Sequence, residues 1–250
     1  MDYQSVVQDA KHKSELSAAD RFVKISNREE KCDLPKSAWE NLFIKSTTLQ
    51  TWKGIILSKG VMEIAMYPML LYELQPKTII EIGAFNGGSA VWFADSLEIM
   101  GIKGNVYGVD IDISLLDEKA KADSRVQFLQ GDCNKLSEVF SPEMLAGLPH
   151  PWLIIEDAHV NPVAVVDYFH NHGLQTGDYM IVEDTNKYLW EFWSQQSWED
   201  DNEIEKGNQK LDDLTNWLIE HEDQYLVDTH YQDMFGYNVS KNWNSVLKRF

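Results

Sequence analysis

The segment from Thr78 to Ala90 constrains the fold of this chain more than any other part of the sequence. A short apolar run leads into Glu81, and Gly83 follows two residues later. Gly87 and Gly88 then precede a helix-like pattern of apolar residues. Because glycine adopts backbone conformations that are barred to other residues, the pattern predicts a strand, a tight turn and a helix. A ligand could lie against this turn, where the unpaired N–H groups of the helix start also point.

The spacing of the glycines distinguishes two kinds of nucleotide-binding turn. The dinucleotide fingerprint G-x-G-x-x-G would need a glycine at the position of Phe85. The observed pattern, E-x-G-x-x-x-G, resembles motif I of the class I methyltransferases that use S-adenosylmethionine (SAM). That resemblance implies that the loop lies under the methionine part of SAM, with Glu81 on its ammonium group. The residues it assigns to SAM here are Glu81, Gly83, Ala84 and Ser89. Short motifs recur by chance, so an unrelated turn in another α/β protein is the alternative.

Length and composition restrict the classes of protein to which the chain can belong. Its 250 residues suffice for one large α/β domain, or for a domain with a small appendage, and 44% of them are apolar, as in an ordinary soluble protein. No apolar run reaches about 18 residues, so no membrane span is expected. The net charge of −18 would repel nucleic acids and anionic membranes, and we therefore expect neither as a partner.

The N-terminus and the cysteines bear on the cellular compartment. The first residues show neither a basic start nor an apolar core, so we expect no secretion signal. Two cysteines, Cys32 and Cys133, do not make a disulfide framework. A reducing cytoplasm is therefore the simplest location for the chain.

Apolar segments alternate with helix-like patterns along the chain, which predicts a parallel β-sheet. After the first strand, the strand-like segments are residues 104–112, 126–133, 152–159 and 177–186. Acids stand at the ends of these segments, notably Asp110 and the pairs Glu156–Asp157 and Glu183–Asp184. Because ligands bind at the carboxyl ends of the strands in such sheets, the acids predict a site at that edge.

The acids after the second and third strands are candidates for binding a nucleoside. Asp110 follows Glu81 by 29 residues, and a carboxylate there can accept hydrogen bonds from both ribose hydroxyls. Asp112 is expected to face outward or to cap the next helix. The methyltransferase resemblance implies that Asp132 lies beside the adenine, with the Cys133 backbone nearby. Asp132 can also cap the helix that follows it, and the two roles are compatible.

The fourth and fifth strands end in paired acids, Glu156–Asp157 and Glu183–Asp184. Three carboxylates converging from these two strand ends would suit a hard divalent cation, best Mg²⁺, with Mn²⁺ as a substitute. The alternative is that these acids cap helices or face water. His159 follows the first pair, and a histidine beside a metal-bound hydroxyl is a natural general base.

From Thr51 to Phe250 the chain resembles the cephalosporin hydroxylase/rhamnosyl O-methyltransferase family, which is related to the macrolide-sugar O-methyltransferases. The matching segments are Trp52-Lys53-Gly54, Glu81-Ile82-Gly83, Gly87-Gly88-Ser89, Gly108-Val109-Asp110-Ile111-Asp112, Glu156-Asp157-Ala158-His159, Gly177-Asp178-Tyr179-Met180-Ile181-Val182-Glu183-Asp184-Thr185 and Phe235-Gly236-Tyr237-Asn238. The resemblance implies a Rossmann-like class I methyltransferase, with a mostly parallel seven-stranded sheet, helices on both faces and an antiparallel C-terminal strand. It also implies a SAM- and Mg²⁺-dependent O-methyltransferase that acts on natural products such as sugars or polyketides and forms homo-oligomers. Residues 1–50 would then be an N-terminal helical extension, and residues 51–250 the methyltransferase domain.

One departure from the family pattern concerns the metal ligands. The family commonly places the metal-binding acid three residues before the histidine, and that position here holds Glu156. The ligands are assigned as Asp157, Glu183 and Asp184. Asp157 is preferred because its shorter side chain suits a rigid site, but Glu156 stays open as the alternative. His159 would take the proton from the substrate hydroxyl.

Other functions fit parts of the pattern. The family name suggests an oxygenase, but an iron facial triad needs two histidines and a carboxylate, and His159 alone lies at the clustered strand ends. A non-catalytic SAM-binding partner of another enzyme would bind SAM without turnover. A nicotinamide dehydrogenase is disfavoured by Phe85. The acceptor molecule stays open, because the sequence around its expected pocket carries little pattern.

The remaining segments predict peripheral elements. Helical patterns cover residues 18–26, 37–45, 61–74 and 211–221, and the last residues predict a strand pair. Residues 187–209 lack a strand pattern, and we expect a helix or loop over the mouth of the site. Three tryptophans in that stretch, Trp190, Trp193 and Trp198, are candidates for contact with the substrate or for simple packing.

Overall fold

A computed structural model of the chain describes residues 2–17, 20–47, 50–159, 161–195 and 202–250. The strands are β1 (Phe22–Val23), β2 (Thr51–Trp52), β3 (Ile55–Ile56), β4 (Thr78–Ile82), β5 (Asn105–Asp110), β6 (Val126–Gln130), β7 (Trp152–Glu156), β8 (Tyr179–Val182), β9 (Tyr225–Asp228) and β10 (Val246–Arg249). The helices are α1 (Tyr3–Ser17), α2 (Lys36–Thr47), α3 (Val61–Leu74), α4 (Gly88–Ile99), α5 (Glu118–Lys121), α6 (Leu136–Val139), α7 (Pro142–Ala146), α8 (Pro162–His172), α9 (Lys187–Trp193), α10 (Glu203–Glu220) and α11 (Thr229–Gln232).

One mixed sheet organises the molecule. Its strand order is β1-β9-β10-β8-β7-β4-β5-β6, and β2 and β3 form a separate hairpin. The five strands from β8 to β6 are parallel, whereas β10 runs antiparallel between β8 and β9. The predicted fold, a mostly parallel sheet with an antiparallel C-terminal strand, is therefore confirmed. An eighth strand, the two-residue β1, extends the predicted seven by pairing with β9.

Both faces of the sheet are covered, which explains why its central strands are mostly apolar. Every residue of β4 and β7 is buried. Ile79 packs with residues of α3 and α4 on one face, and Ile80 packs with residues of α8 and α10 on the other. The two hydrophobic cores fix the carboxyl ends of the strands along one edge, where the acids follow.

Most predicted elements are confirmed, and two are wrong. Helix α3 has the predicted bounds, and α2 contains the predicted residues 37–45. The helix predicted for residues 18–26 is wrong, because residues 22–23 form the edge strand β1 and residues 25–27 form a 3₁₀ turn. Residues 18 and 19 lie outside the described residues. The C-terminal strand pair is also wrong, since β10 is the single sheet strand after residue 233 in the described chain.

The segment between β8 and β9 is largely helical. Helix α9 and the first turns of α10 fall within the residues expected to form a helix or loop over the site. Trp198 lies outside the described residues. None of the helices in the described ranges combines the length and the apolar character that crossing a membrane requires.

Candidate active site

The glycine turn lies in direct backbone contact with the end of β7. Gly83 has a φ angle of +97°, in the region that favours glycine. A Cβ atom on Gly83 would lie 2.3 Å from the carbonyl oxygen of Asp157. Position 83 thus needs glycine both for its positive φ angle and for the close approach of the Asp157 carbonyl. The turn predicted to bind SAM therefore packs directly against the loop predicted to bind the metal.

Glu81 lies at the base of this turn and is fully buried. The Ser89 hydroxyl, in the first turn of α4, donates a hydrogen bond of 2.8 Å to Glu81 Oε2. The Lys59 ammonium nitrogen lies 3.2 Å from Glu81 Oε1. Burial raises the pKa of Glu81 above its ordinary value, while Lys59 and Ser89 act against that rise. The predicted pair of SAM residues, Glu81 and Ser89, is therefore brought together.

The β2–β3 hairpin covers the N-terminus of α4. A Cβ atom on Gly88 would lie 2.0 Å from the carbonyl oxygen of Ile56. The Asn86 side chain accepts a hydrogen bond of 3.1 Å from the Ile56 amide. Gly87, with a φ of +85°, precedes the helix in the left-handed conformation. The hairpin therefore holds the helix start by one close backbone contact and one hydrogen bond, and Ala84 beside it is buried.

The predicted nucleoside residues lie on neighbouring strands, at the ends of β5 and β6. The two Asp110 oxygens accept hydrogen bonds from the amides of Phe85, at 2.7 Å, and Asp112, at 3.0 Å. Asp132 caps a 3₁₀ turn by accepting a hydrogen bond of 2.9 Å from the Asn134 amide, so its predicted capping role is confirmed. The capping role predicted for Asp112 is confirmed in the same way, by a bond from the Ser114 amide. The backbone positions of Asp110 and Asp132 thus lie at the carboxyl edge, as predicted, and Cys133 lies half-buried beside them.

Beside the turn, three carboxylates converge on one lysine. Lys241 Nζ lies 2.8 Å from Glu183 Oε2, 2.9 Å from Asp184 Oδ1 and 3.5 Å from Asp157 Oδ1. We call Asp157, Glu183, Asp184 and their two lysine partners the carboxylate cluster. The second lysine, Lys59, contacts Asp157 Oδ2 at 2.8 Å and Glu183 Oε2 at 2.7 Å. Burial would lower the pKa of Lys59, but the surrounding carboxylates outweigh it and raise the pKa above the ordinary lysine value.

Glu183 is the most enclosed member of the cluster. It is fully buried, and the Tyr67 hydroxyl from α3 donates a hydrogen bond to its Oε1. Burial, together with the charge of Glu183, raises the pKa of Tyr67 well above its ordinary value. Tyr67 therefore stays a hydrogen-bond donor at neutral pH and fixes the orientation of the carboxylate.

His159 pairs with the third carboxylate of the cluster. Its Nε2 lies 2.7 Å from Asp184 Oδ2. Asp157, His159 and Asp184 each offer a ligand atom, and these atoms all lie within 4.8 Å of one another. Burial would raise the pKa of Asp184, but Lys241 and His159 outweigh it and lower that pKa far below the ordinary value. Asp184 is thus ionised and can hold either the imidazole or a cation.

Two tryptophans of α9 flank the His159 ring. The ring centroids of Trp193 and Trp190 lie 4.7 Å and 5.6 Å from that of His159. The Trp190 indole N–H also donates a 2.6 Å hydrogen bond to the Asp184 carbonyl oxygen. His159 keeps 46% of its side chain exposed and adopts a left-handed φ of +56°. The imidazole is therefore held in place but can be reached from solvent, and α9 borders the site as expected.

Glu156, the alternative metal ligand, points into a different environment. Its Oε2 lies 2.8 Å from the Nζ of Lys210, on α10, and both side chains are buried. Its Oε1 accepts a hydrogen bond of 3.0 Å from the Ala158 amide. Asp157 belongs to the group of possible metal ligands found among the described residues, whereas Glu156 and the predicted ligand Glu183 do not. This geometry favours Asp157, as the side-chain length suggested.

Sequence reasoning missed the cations of the site. It did not single out Lys59, Lys241 or Lys210 as functional residues. The one signal available is that neither Lys59 nor Lys241 has an acid within three residues. A lysine in such a setting is expected either at the surface or paired with distant carboxylates, and the sequence alone does not decide between them.

The sheet and the glycine turn define a Rossmann-like class I methyltransferase fold. The family model described as "Rhamnosyl O-methyltransferase/CmcI" matches residues 45–250. The chain belongs to this family, and the predicted resemblance is confirmed.

Named relatives support this membership. A rhamnosyl O-methyltransferase of Mycobacterium tuberculosis is 30% identical over 145 residues, which are 56% of this chain and 58% of that protein. The chain thus spans less than two thirds of the curated relative that it matches. A CmcI structure described as Mg-SAM has a TM-score of 0.62 and 28% identity, covering 92% of this chain and 91% of that one. A CmcI structure described with SAH has a TM-score of 0.61 and 28% identity, covering 87% and 92%.

Proposed function

We propose that the protein is a SAM- and Mg²⁺-dependent O-methyltransferase that acts on a hydroxyl of a natural product in secondary metabolism. The observation that carries this proposal is the backbone contact between Gly83 and Asp157, because it joins a methyltransferase-type glycine turn to a group of cation-binding side chains. The name of the mycobacterial relative supports transfer to a hydroxyl, and the Mg-SAM description of the CmcI structure supports the pair of cofactors.

SAM would supply the methyl group from its sulfonium. Glu81 and Ser89 would bind its amino acid part, and Gly83 and Ala84 would let it lie against the backbone. Asp110 would accept hydrogen bonds from the ribose hydroxyls. Asp132 and the Cys133 backbone would lie beside the adenine. Both Asp110 oxygens already accept backbone amides, so the ribose would use their remaining lone pairs.

The metal would be held by Asp157, Glu183 and Asp184. The residues fit a hard cation because Asp184 Oδ1 is buried and has no hydrogen-bond donor in acceptable geometry, although the Lys241 ammonium lies 2.9 Å away. Bound Mg²⁺, or Mn²⁺ in its place, would supply Lewis acidity that lowers the pKa of the substrate hydroxyl. An iron facial triad needs two histidines and a carboxylate. The group of possible ligands in the described residues contains a single histidine, His159.

His159 would accept the proton of the substrate hydroxyl. The Asp184 carboxylate, 2.7 Å from Nε2, orients the imidazole and would stabilise its protonated form. While Nε2 is engaged in that contact, the proton would go to Nδ1. Trp190 and Trp193 would restrict the movement of the ring.

The acceptor would be a hydroxylated small molecule, a sugar or a polyketide. We place the methyltransferase domain at residues 51–250 and an N-terminal helical extension at residues 1–50. Strand β1 of this extension pairs with β9, which would attach the extension to the domain. A homo-oligomer in the cytoplasm, without a nucleic-acid or membrane partner, completes the proposal.

A methyl-transfer assay tests this function. The full chain is incubated with SAM carrying a labelled methyl group and a panel of hydroxylated sugars and polyketides, with Mg²⁺ or with a chelator. We expect label transfer that requires the metal and falls by about 10²–10⁴-fold in His159→Ala. An Asp9→Asn variant, altered at an exposed position of helix α1, should keep full activity. Oxygen consumption with iron and 2-oxoglutarate, without label transfer, would refute the proposal in favour of an oxygenase.

A further inference from the structure

The Lys241 ammonium group occupies the place where the proposed function puts the metal. We propose that Lys241 is the resident cation of the carboxylate cluster, and that a divalent ion binds there only when this lysine moves out. Metal entry and lysine withdrawal would then be one exchange. The inference rests on the proposed function for the choice of Mg²⁺ as the entering ion and of the three carboxylates as its ligands.

The geometry of the ammonium group carries this inference. An ammonium has three N–H groups, and Lys241 Nζ lies within 3.5 Å of one oxygen from each of the three predicted metal ligands. The second oxygen of each carboxylate has another partner, which is Lys59 for Asp157, Tyr67 for Glu183 and His159 for Asp184. A metal ion that uses these ligands would therefore compete with Lys241 for the first oxygens. Lys241 is only 5% exposed, so its ammonium is enclosed with the carboxylates and is not simply near them on the surface.

The charges of the site explain why the two cations exclude each other. The carboxylates of Glu81 and of the three predicted ligands surround the ammonium groups of Lys59 and Lys241. Lys241 forms ion pairs with three carboxylates from the enclosed site, and these stabilise its ammonium form. A divalent ion a few ångströms from this ammonium would be strongly repelled in a buried site.

The contacts also indicate which of the two lysines would leave. Lys59 pairs with Glu81, which is not a predicted metal ligand, and its ion pairs among the described residues do not include Asp184. It can therefore stay and balance charge after the metal has bound. Lys241 contacts all three predicted ligands and lies in the turn region between α11 and β10. Its side chain is the one whose contacts coincide with those of the metal.

Calorimetric titration of Mg²⁺ into the full chain tests the exchange directly. We expect Lys241→Met to bind Mg²⁺ at least about tenfold more tightly than the wild type, because the competing charge is gone. Lys53→Met removes the same charge from a lysine that pairs with Asp95, outside the cluster, and should leave the affinity within about twofold. An unchanged or weaker affinity in Lys241→Met, including undetectable binding to both proteins, would overturn the inference.

A second measurement uses the wild-type chain, in case the variant fails to fold. Amine-directed labelling followed by mass spectrometry should find Lys241 protected in a chelator and labelled several-fold faster in saturating Mg²⁺. Protection that persists once Mg²⁺ binding is saturated would refute the exchange. SAM binding and methyl transfer, measured on the same samples, report on the proposed function separately, because methyl transfer can proceed whether or not Lys241 responds to metal.

Discussion

Glu63 should make the stability of this protein fall as the pH rises, and Glu63→Gln should remove that dependence. Glu63 lies in the first turn of α3 and is fully buried. Its Oε1 accepts a hydrogen bond of 3.2 Å from the Lys241 amide, whereas its Oε2 has no donor among the described residues. Burial is the largest effect on this carboxyl, and it raises the pKa from 4.5 to about 7 despite the opposing charge of Lys241.

The sign and size of the effect follow from the two protonation states. Below the ordinary pKa of 4.5, both the folded and the unfolded chain carry the proton, so the group costs nothing. Between 4.5 and about 7 the unfolded chain releases the proton and the folded chain keeps it, so stability falls as the pH rises. At about 1.4 kcal/mol per pH unit, the cost is about 1.4 kcal/mol near pH 5.5 and about 3.4 kcal/mol near pH 8.5.

Glutamine has the shape of the protonated acid and cannot ionise. Urea unfolding followed by circular dichroism should therefore find Glu63→Gln more stable than the wild type, with an advantage that grows by about 2 kcal/mol from pH 5.5 to pH 8.5. Glu138→Gln changes an exposed glutamate and should show no such growth. A difference between Glu63→Gln and the wild type that stays constant with pH, or a variant that is less stable at pH 8.5, would refute the reasoning.

Three further substitutions test other contacts of the site. Gly83→Ala should cost about 2–4 kcal/mol of unfolding free energy and abolish SAM binding, because the new Cβ meets the Asp157 carbonyl; unchanged calorimetric binding of SAM would contradict this. Glu156→Gln should cost about 3–5 kcal/mol in urea unfolding by leaving Lys210 buried without its partner, and adding Lys210→Met should recover most of the loss. Failure of the double variant to recover would show that the pair has another role. His159→Gln should lower the rate of methyl transfer at least about 10²-fold with little change in SAM affinity, and an equal loss in both would assign the residue to binding instead.

The sequence predicted the sheet well because its signals are local. The buried strands from β4 to β8 appear as short apolar runs, and each is followed by an acid or a helix start at the carboxyl edge. Helix α3 could be bounded because Gly60 and Pro76 flank its apolar pattern. The edge strand β1 could not be predicted, because its two residues become a strand only by pairing with β9, more than 200 residues away.

The candidate site was predictable on its acidic side and not on its basic side. Asp157 and Asp184 follow strands, so topology alone brings them to one edge. Lys59 and Lys241 come from loops whose positions depend on tertiary packing, and no local pattern aims their side chains at the carboxylates. The same limit applies to Glu156, whose partner Lys210 lies 54 residues away on α10. The SAM and metal roles of the predicted residues stay predictions until they are measured.

Calorimetric titration of SAM into the full chain, with and without Mg²⁺, tests the central claim most directly. The account predicts micromolar binding to the wild type and a loss of about 10–100-fold in Asp110→Asn, which removes one charged acceptor of the ribose. The Asp9→Asn variant should bind like the wild type. Absence of SAM binding in both conditions would contradict the account, and the turn at Gly83 would then hold another ligand or none.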